Sequence, residues 1–421
     1  MDAPLAAAIF LATYALIASD RLDRTAVALL GGLAMIALHI IDQEAAFAAI
    51  DLNVLFLLAG MMILAGILRR TGFFQLVAIR AVKIAAGDPV RLLIVLSLVT
   101  AVLSAFLDNV TTVVLVAPVT LYIARSLRVS PVPFLISEVF ASNIGGTATL
   151  IGDPPNILIG SASGFGFVDF LVTLGPPVVV ILGASLLALR FAFAAEIEVH
   201  AEARDRVLAL DEREVVTDPR LLRVSLAVIG ATLVGFLLEG PLGLGSATIA
   251  LLGATVLILL ARVDPVEVFS EIEWPTLFFF VGLFILVGGV VQAGLVAGVA
   301  DLLLRITGDN QAVATIGLLW LSGIASGVID NIPYTTAMLP IVERLGHNGL
   351  QTEPLWWSLA LGASLGGNAT LVGASANVVV ANLAARAGHP ISFRTFLGYG
   401  LLVVACSLAI SSLYLWFRFL G

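Results

Sequence analysis

Long apolar runs separated by short polar breaks cover most of this chain. Those at residues 4–19, 25–41 and 52–68 approach the ~20 apolar residues that a membrane-crossing helix needs. Segment 72–86 carries Arg80 and Lys83 among apolar residues and predicts an amphipathic helix lying at the interface. Gly87-Asp88-Pro89 breaks the chain. Two apolar arms then follow, 90–107 and 110–127, meeting at Asp108-Asn109. Next come a run at 132–160 and a span at 167–195, before a charged segment, 196–220, that forms the one long polar loop.

The run at 132–160 differs from the others. It contains Ser142-Asn143-Ile144-Gly145-Gly146-Thr147-Ala148-Thr149-Leu150-Ile151-Gly152-Asp153-Pro154-Pro155-Asn156. Proline removes a backbone donor and clashes with the preceding turn, so a helix here breaks near Pro154. Within a bilayer a broken backbone survives only where protein or a watered cavity satisfies it. The stretch recurs as Ser364-Leu365-Gly366-Gly367-Asn368-Ala369-Thr370-Leu371-Val372-Gly373-Ala374-Ser375-Ala376-Asn377. Two matched, interrupted apolar segments in two halves point to the substrate site of a secondary transporter.

The duplication extends along the chain. At an offset of 222 residues Gly31, Gly60, Gly66, Gly72, Asp108, Asn109 and Pro118 align with Gly253, Gly282, Gly288, Gly294, Asp330, Asn331 and Pro340. At 221, Gly145, Gly146, Thr149, Gly152 and Asn156 align with Gly366, Gly367, Thr370, Gly373 and Asn377. The expected fold is all-α and polytopic: two inverted repeats of five crossings, each with one re-entrant hairpin, and discontinuous helices at the midplane. The expected division is 1–87 and 222–309 for a scaffold, 88–195 and 310–421 for a transport part, and 196–221 for a cytoplasmic linker. In this topology 18 of the 21 basic residues share one side, all but Arg305, Arg344 and Arg418. The positive-inside rule makes that side cytoplasmic and places both termini outside a plasma (inner) membrane. Full spans at the hairpin arms give the same charge distribution; the polar tips argue for re-entry.

Composition removes several function classes. With 60% hydrophobic and 12% charged residues the chain is a polytopic membrane protein, not a soluble enzyme. Its one cysteine, Cys406, excludes an internal disulfide and any cysteine-based metal site, and the four histidines lack metal-ligand spacing. No cofactor is expected. The N-terminus lacks a signal peptide's positive region, so the first run is expected to be a retained span. No Gly-x-x-x-x-Gly-Lys-Ser/Thr motif is present, so an ATP-driven pump would need a separate ATPase subunit.

The candidate chemistry lies at the tips and breaks. Asp108-Asn109 and Asp330-Asn331 open the second hairpin arms, where they serve either as N-caps or as ion and proton ligands. Thr111, Thr112, Thr335 and Thr336 add hydroxyls, although Pro333 and Tyr334 replace the first tip's threonine pair. Asp153 has no acidic counterpart near Ala374 and Ser375, which suggests one special proton- or cation-carrying carboxylate; a local cap is the alternative. Glu138 reads as an interface residue or an inward carboxylate. Asn143, Asn156, Asn368 and Asn377, with Thr149 and Thr370, complete the candidate substrate- and ion-binding set. The glycine pairs read as packing sites. No basic residue falls within these stretches, so a dianion would rely on helix N-termini and amides, opposed by nearby carboxylates.

Leu107-Asp108-Asn109-Val110-Thr111-Thr112, Asn143-Ile144-Gly145-Gly146 and Ile151-Gly152-Asp153-Pro154-Pro155-Asn156 resemble the ion transporter superfamily, in its arsenite efflux pump (ArsB) and melanosomal P-protein branch. The resemblance spans nearly the whole chain. It implies a scaffold, a mobile transport domain holding hairpins and broken helices, elevator-like motion and often a homodimer. It also implies that Asp108, Asn109, Thr111 and Thr112 form the first hairpin site, and Asp330, Asn331, Thr335 and Thr336 the second. Related sodium–dicarboxylate carriers have Ser-Asn-Thr at the tips; aspartates replace those serines here, which argues against dicarboxylate cargo. The expected function is proton-coupled export of arsenite or antimonite, with Asp108, Asp153 and Asp330 as proton-coupling candidates. Arsenite at neutral pH is mostly uncharged, and with one cysteine in the chain it would be held through oxygen and amide groups. The alternatives are a sodium/proton antiporter, an anion or dicarboxylate carrier and, less well matched to occluding hairpins, a channel.

Overall fold

The computed structural model describes residues 2–19, 21–86, 88–193, 215–308 and 310–421, and among them every regular element is a helix. The expected linker at 196–221 lies outside the described residues until residue 215; the next helix begins at Pro219.

Among the described residues the helices come in two sets in matching order, ten in the first and, with one extra turn, eleven in the second. The first set is α1 (Asp2–Ala18), α2 (Arg24–Ala37), α3 (Gln43–Ala48), α4 (Leu52–Arg69), α5 (Phe73–Ile84), α6 (Pro89–Phe106), α7 (Asn109–Leu127), α8 (Val132–Gly146), α9 (Pro154–Ser163) and α10 (Phe167–Phe193). The second is α11 (Pro219–Leu237), followed by a single turn, α12 (Glu239–Leu242), then α13 (Ser246–Ala261), α14 (Pro265–Phe269), α15 (Trp274–Gln292), α16 (Leu295–Thr307), α17 (Gln311–Ser326), α18 (Asn331–His347), α19 (Thr352–Gly366), α20 (Ser375–Arg386) and α21 (Phe393–Leu415). The chain ends in a π-helical turn, Trp416–Leu420. Both members of the pair α5 and α16 begin after a left-handed glycine, Gly72 (φ +79°) and Gly294 (φ +75°), a conformation that favours a residue without Cβ.

Packing separates two groups. In one, α2 crosses α15 and α4 crosses α13, with α1 and α11 alongside. The crossings are close because they are glycine-lined: a Cβ on Gly32 would stand 2.8 Å from the Gly282 carbonyl oxygen, and one on Gly60 2.8 Å from the Ala250 carbonyl carbon. In the other group α6 packs on α8 and α17 on α19, joined by α7, α18, α9, α20, α10 and α21. Helices α5 and α16 connect the groups along the chain, and α5 buries Phe74, Ala78, Ile79, Ala81 and Val82 on one face.

Among the described residues seven helices are long and apolar enough to cross a membrane: α4, α6, α7, α10, α11, α15, and α21 with its π-helical extension. Three of the ten expected crossings fall on apolar helices that are shorter. Helices α1, α2 and α13 have 17, 14 and 16 residues. At 1.5 Å per residue they rise about 21–26 Å, short of a ~30 Å hydrocarbon core. The hairpin arms α6 and α7 are themselves of spanning length, so length does not mark them as re-entrant. What distinguishes them is that their tip meets the break between α8 and α9.

Candidate functional site

The two breaks share one construction. Between α8 and α9, and again between α19 and α20, the chain turns back on itself, and an asparagine in the next helix holds the turn. Asn156 Nδ2 donates to the carbonyls of Thr147 (3.1 Å) and Thr149 (2.8 Å). Asn377 Nδ2 donates to those of Gly367 (2.7 Å) and Thr370 (2.8 Å). Each break is tied to its own hairpin: the Thr149 hydroxyl donates to the Ala105 carbonyl and that of Thr370 to the Gly327 carbonyl (2.7 Å). Glycines let the helices meet there, since a Cβ on Gly145 would lie 2.2 Å from the Ala101 carbonyl oxygen and one on Gly366 2.3 Å from that of Gly323. Asn156, Thr149 and Thr370 therefore brace the backbone, a need that every buried peptide group imposes. Thr336 does the same within α18, donating to Ile332 (2.9 Å).

The hairpin tips also begin alike. Asp108 caps α7 at the Thr111 amide (2.8 Å) and Asp330 caps α18 at the Ile332 amide (3.1 Å). The next residues turn inward to one point. Asn109 Nδ2 donates to Asp153 Oδ1 (3.2 Å) and to Asn143 Oδ1 (3.2 Å), and Asn331 Nδ2 lies 3.4 Å from both Asp153 oxygens. Asn143 in turn donates to Asn368 Oδ1 (2.9 Å) and Asn377 Oδ1 (3.0 Å). Asp153, Asn143, Asn156, Asn368 and Asn377 are fully or almost fully buried. Both tips and both breaks thus converge on one carboxyl in a cluster of amides. Several buried polar atoms here lack a partner among the described residues: Asn368 Nδ2, Asn156 Oδ1, and the hydroxyls of Thr112 and Thr335. Such groups are costly to leave unpaired, which makes them candidates for meeting a solute.

Asp153 does not cap α9; its side chain makes no such bond. Its backbone (φ −143°, ψ 132°) is matched at the second break by Ala374 (φ −148°, ψ 145°). An alanine makes the same turn, so the carboxyl is not needed for the turn itself.

The CitMHS family, described as citrate transporters, matches residues 14–362. The chain belongs to that family. The CitMHS chain is 46% identical over 422 residues to an uncharacterized transporter of Mycobacterium tuberculosis, covering 99% of this chain and 98% of that one. It is 34% identical over 490 residues to the human P protein, covering 96% of this chain and 58% of the relative. Among solved structures it shares the fold of the Alcanivorax borkumensis YdaH transporter, with a TM-score of 0.62 at 15% identity over 99% of this chain and 98% of that one. The CitMHS chain is accordingly a membrane transporter, and the likeness to the P protein bears out the superfamily resemblance.

Two charged residues stand differently in the CitMHS fold from the sequence reading. Arg24, the first residue of α2, reaches the second tip: its guanidinium donates to the Ser375 hydroxyl and lies 3.6 Å from Asp330 Oδ2. The site region is therefore not free of cations, because a residue 306 positions earlier in the chain than Asp330 is folded onto it. Nothing in the local sequence marks Arg24; it reads as one more basic residue at a helix end. Glu138 is not an interface residue. It is 1% exposed, and Thr120 donates to its Oε1 at 2.5 Å. Thr111 stays apart from the amides, lining a separate small cavity with Arg69, Glu271 and Glu273.

Proposed function

We propose that this CitMHS protein is a proton-coupled secondary transporter with Asp153 as its coupling carboxyl, and that its cargo is a small uncharged hydroxy solute of the arsenite or antimonite kind, moved outward. Asp153 carries the reading. It is buried, surrounded by amides, unnecessary to the turn it sits on, and without a counterpart in the second half. An isolated buried carboxylate without an adjacent cation is expensive, and a carboxyl that takes up and gives back a proton avoids that expense. The unpartnered hydroxyls and the Asn368 amide nitrogen suit a hydroxylated solute, which both donates and accepts.

In this reading the α6–α10 and α17–α21 group is the moving body and the α2/α4/α13/α15 group the scaffold. The halves are inverted in a plasma membrane with termini outside, and two copies form a dimer. Everted vesicles under an imposed proton gradient test it, with arsenite and sodium offered in parallel to wild type and Asp153→Asn. Gradient-dependent arsenite accumulation, lost in the variant, supports the proposal. Sodium-dependent proton flux without arsenite movement sinks it in favour of the antiporter.

A second reading, a carboxylate anion as cargo, draws on Arg24 at the cleft beside Asp330 and on the family's description as citrate transporters. Citrate uptake in the same vesicles, abolished by Arg24→Gln and indifferent to arsenite, would favour it.

A further inference from the structure

Arg24 joins the two packing groups. Its guanidinium lies over the Phe279 ring of α15, 5.5 Å from the centroid, and so belongs with the α2/α15 crossing. Its bonding partners, Ser375 and Asp330, open α20 and α18 in the other group. Ser375 Oγ also donates to Asp330 Oδ2 (2.8 Å), which closes a triangle of three side chains across the junction. They line a cavity of about 280 Å³ whose other walls include Ile17, Leu22, Val110, Val328, Val372 and Val379. The equivalent junction at the other end of the repeat is built differently. Ser246 occupies the position 222 residues after Arg24, and it bonds Glu239 in its own group rather than reaching α9. A second cavity, about 230 Å³, separates it from Leu150, Ile157 and Ser161. One junction is closed by an ion pair, while its counterpart is spanned without one.

We propose that Arg24 is a positioning residue, a latch whose ion pair with Asp330 holds the α18/α20 end of the moving body against the scaffold. The inference rests on the transporter reading above, since it needs a body that moves. A guanidinium keeps its charge under all ordinary conditions. Pulling it away would leave the Asp330 carboxyl with only the Ser375 hydroxyl and the Ile332 amide as donors beside the cavity's valines. The charged groups around Asp330 are Arg24 and Asp23 from the start of α2 and, within electrostatic reach, Asp153 at the first break. The latch would thus act at the junction between the two groups, a task distinct from that of Asp153 at the centre of the moving body.

The test replaces Cys406 by serine and introduces Leu22→Cys with Val379→Cys, two cavity-lining positions outside the triangle. Full-length protein in proteoliposomes is treated with a short bifunctional thiol reagent. The latch predicts efficient cross-linking with Arg24 and Asp330 intact. It predicts yields lower by about threefold in Arg24→Gln and in Asp330→Asn, each of which removes one charge of the pair, with no further fall in the double variant. Asp330→Asn preserves size and the Ile332 cap, so it decides the matter even if Arg24→Gln is not recovered. Yields indifferent to both substitutions, or adding in the double variant, overturn the latch. Transport measured on the same samples separates the two ideas. Cross-linked protein that transports at the full rate overturns the moving body, and the latch with it. Cross-linking that stops transport but ignores Arg24 and Asp330 overturns the latch alone.

Discussion

At the first break the residue before the second half-helix is Asp153; at the second it is Ala374, in nearly the same extended backbone. Around them the halves agree closely. Asn156 and Asn377 hold the same turn, Thr149 and Thr370 tie it to the same point on the preceding hairpin, and Asp108 and Asp330 cap the same helix. What the repeats share is what the backbone requires, because each break must satisfy its own peptide groups wherever it occurs. What they do not share is free of that requirement: Asp153 against Ala374, Arg24 against Ser246, Glu138 with Thr120 against Leu359 with Val342. The differences are where chemistry is to be sought.

The largest expected effect comes from erasing the difference at the break. Asp153→Ala makes the two breaks alike, and should cut gradient-driven transport by on the order of tenfold or more while leaving the folded protein intact, since the second half folds with alanine there. Flux in proteoliposomes, with thermal melting of the same preparation in detergent, checks both halves of the statement; a large loss of melting temperature would show that the carboxyl is structural. Moving the acid instead, in Asp153→Ala combined with Ala374→Asp, should not restore flux, because both tip asparagines point to the first break. Restored flux would mean that either break can host the site.

Deleting a shared feature should act on stability in both halves, somewhat more at Asn377, whose Oδ1 also accepts from Asn143. Asn156→Ala and Asn377→Ala each leave buried carbonyls without their donor and should destabilise by ~1–3 kcal/mol, read as falls in melting temperature. Gly145→Ala and Gly366→Ala should follow, at ~1–3 kcal/mol, because the new methyl meets a backbone oxygen. The smallest effect belongs to Glu138→Gln. The Thr120 hydroxyl can still donate to the amide oxygen, so a change below about 1 kcal/mol and near-normal flux are expected. A loss of proton coupling in that variant would add Glu138 to the functional differences.

Much of this was legible in the chain itself. Apolar runs have to be helices in a bilayer, Pro154 has to interrupt one, and a constant offset between Asp108 and Asp330 has to mean duplication. From these the broken helices, the hairpin tips and the absence of an acidic counterpart to Asp153 follow before any coordinates, because each is written in a local pattern. The role of every asparagine was not. Asn143, Asn156, Asn368 and Asn377 look alike in sequence, yet Asn156 braces a turn and Asn143 links the two halves, a distinction set by what lies across each contact. The same holds for Arg24, which α2 carries to Asp330 from the far end of the repeat, and for Glu138, whose partner Thr120 faces it from the neighbouring helix α7. A sequence records which groups must be satisfied; only packing decides which groups meet, whether they lie on neighbouring helices of one half, as Thr120 and Glu138 do, or in different halves, as Arg24 and Asp330 do.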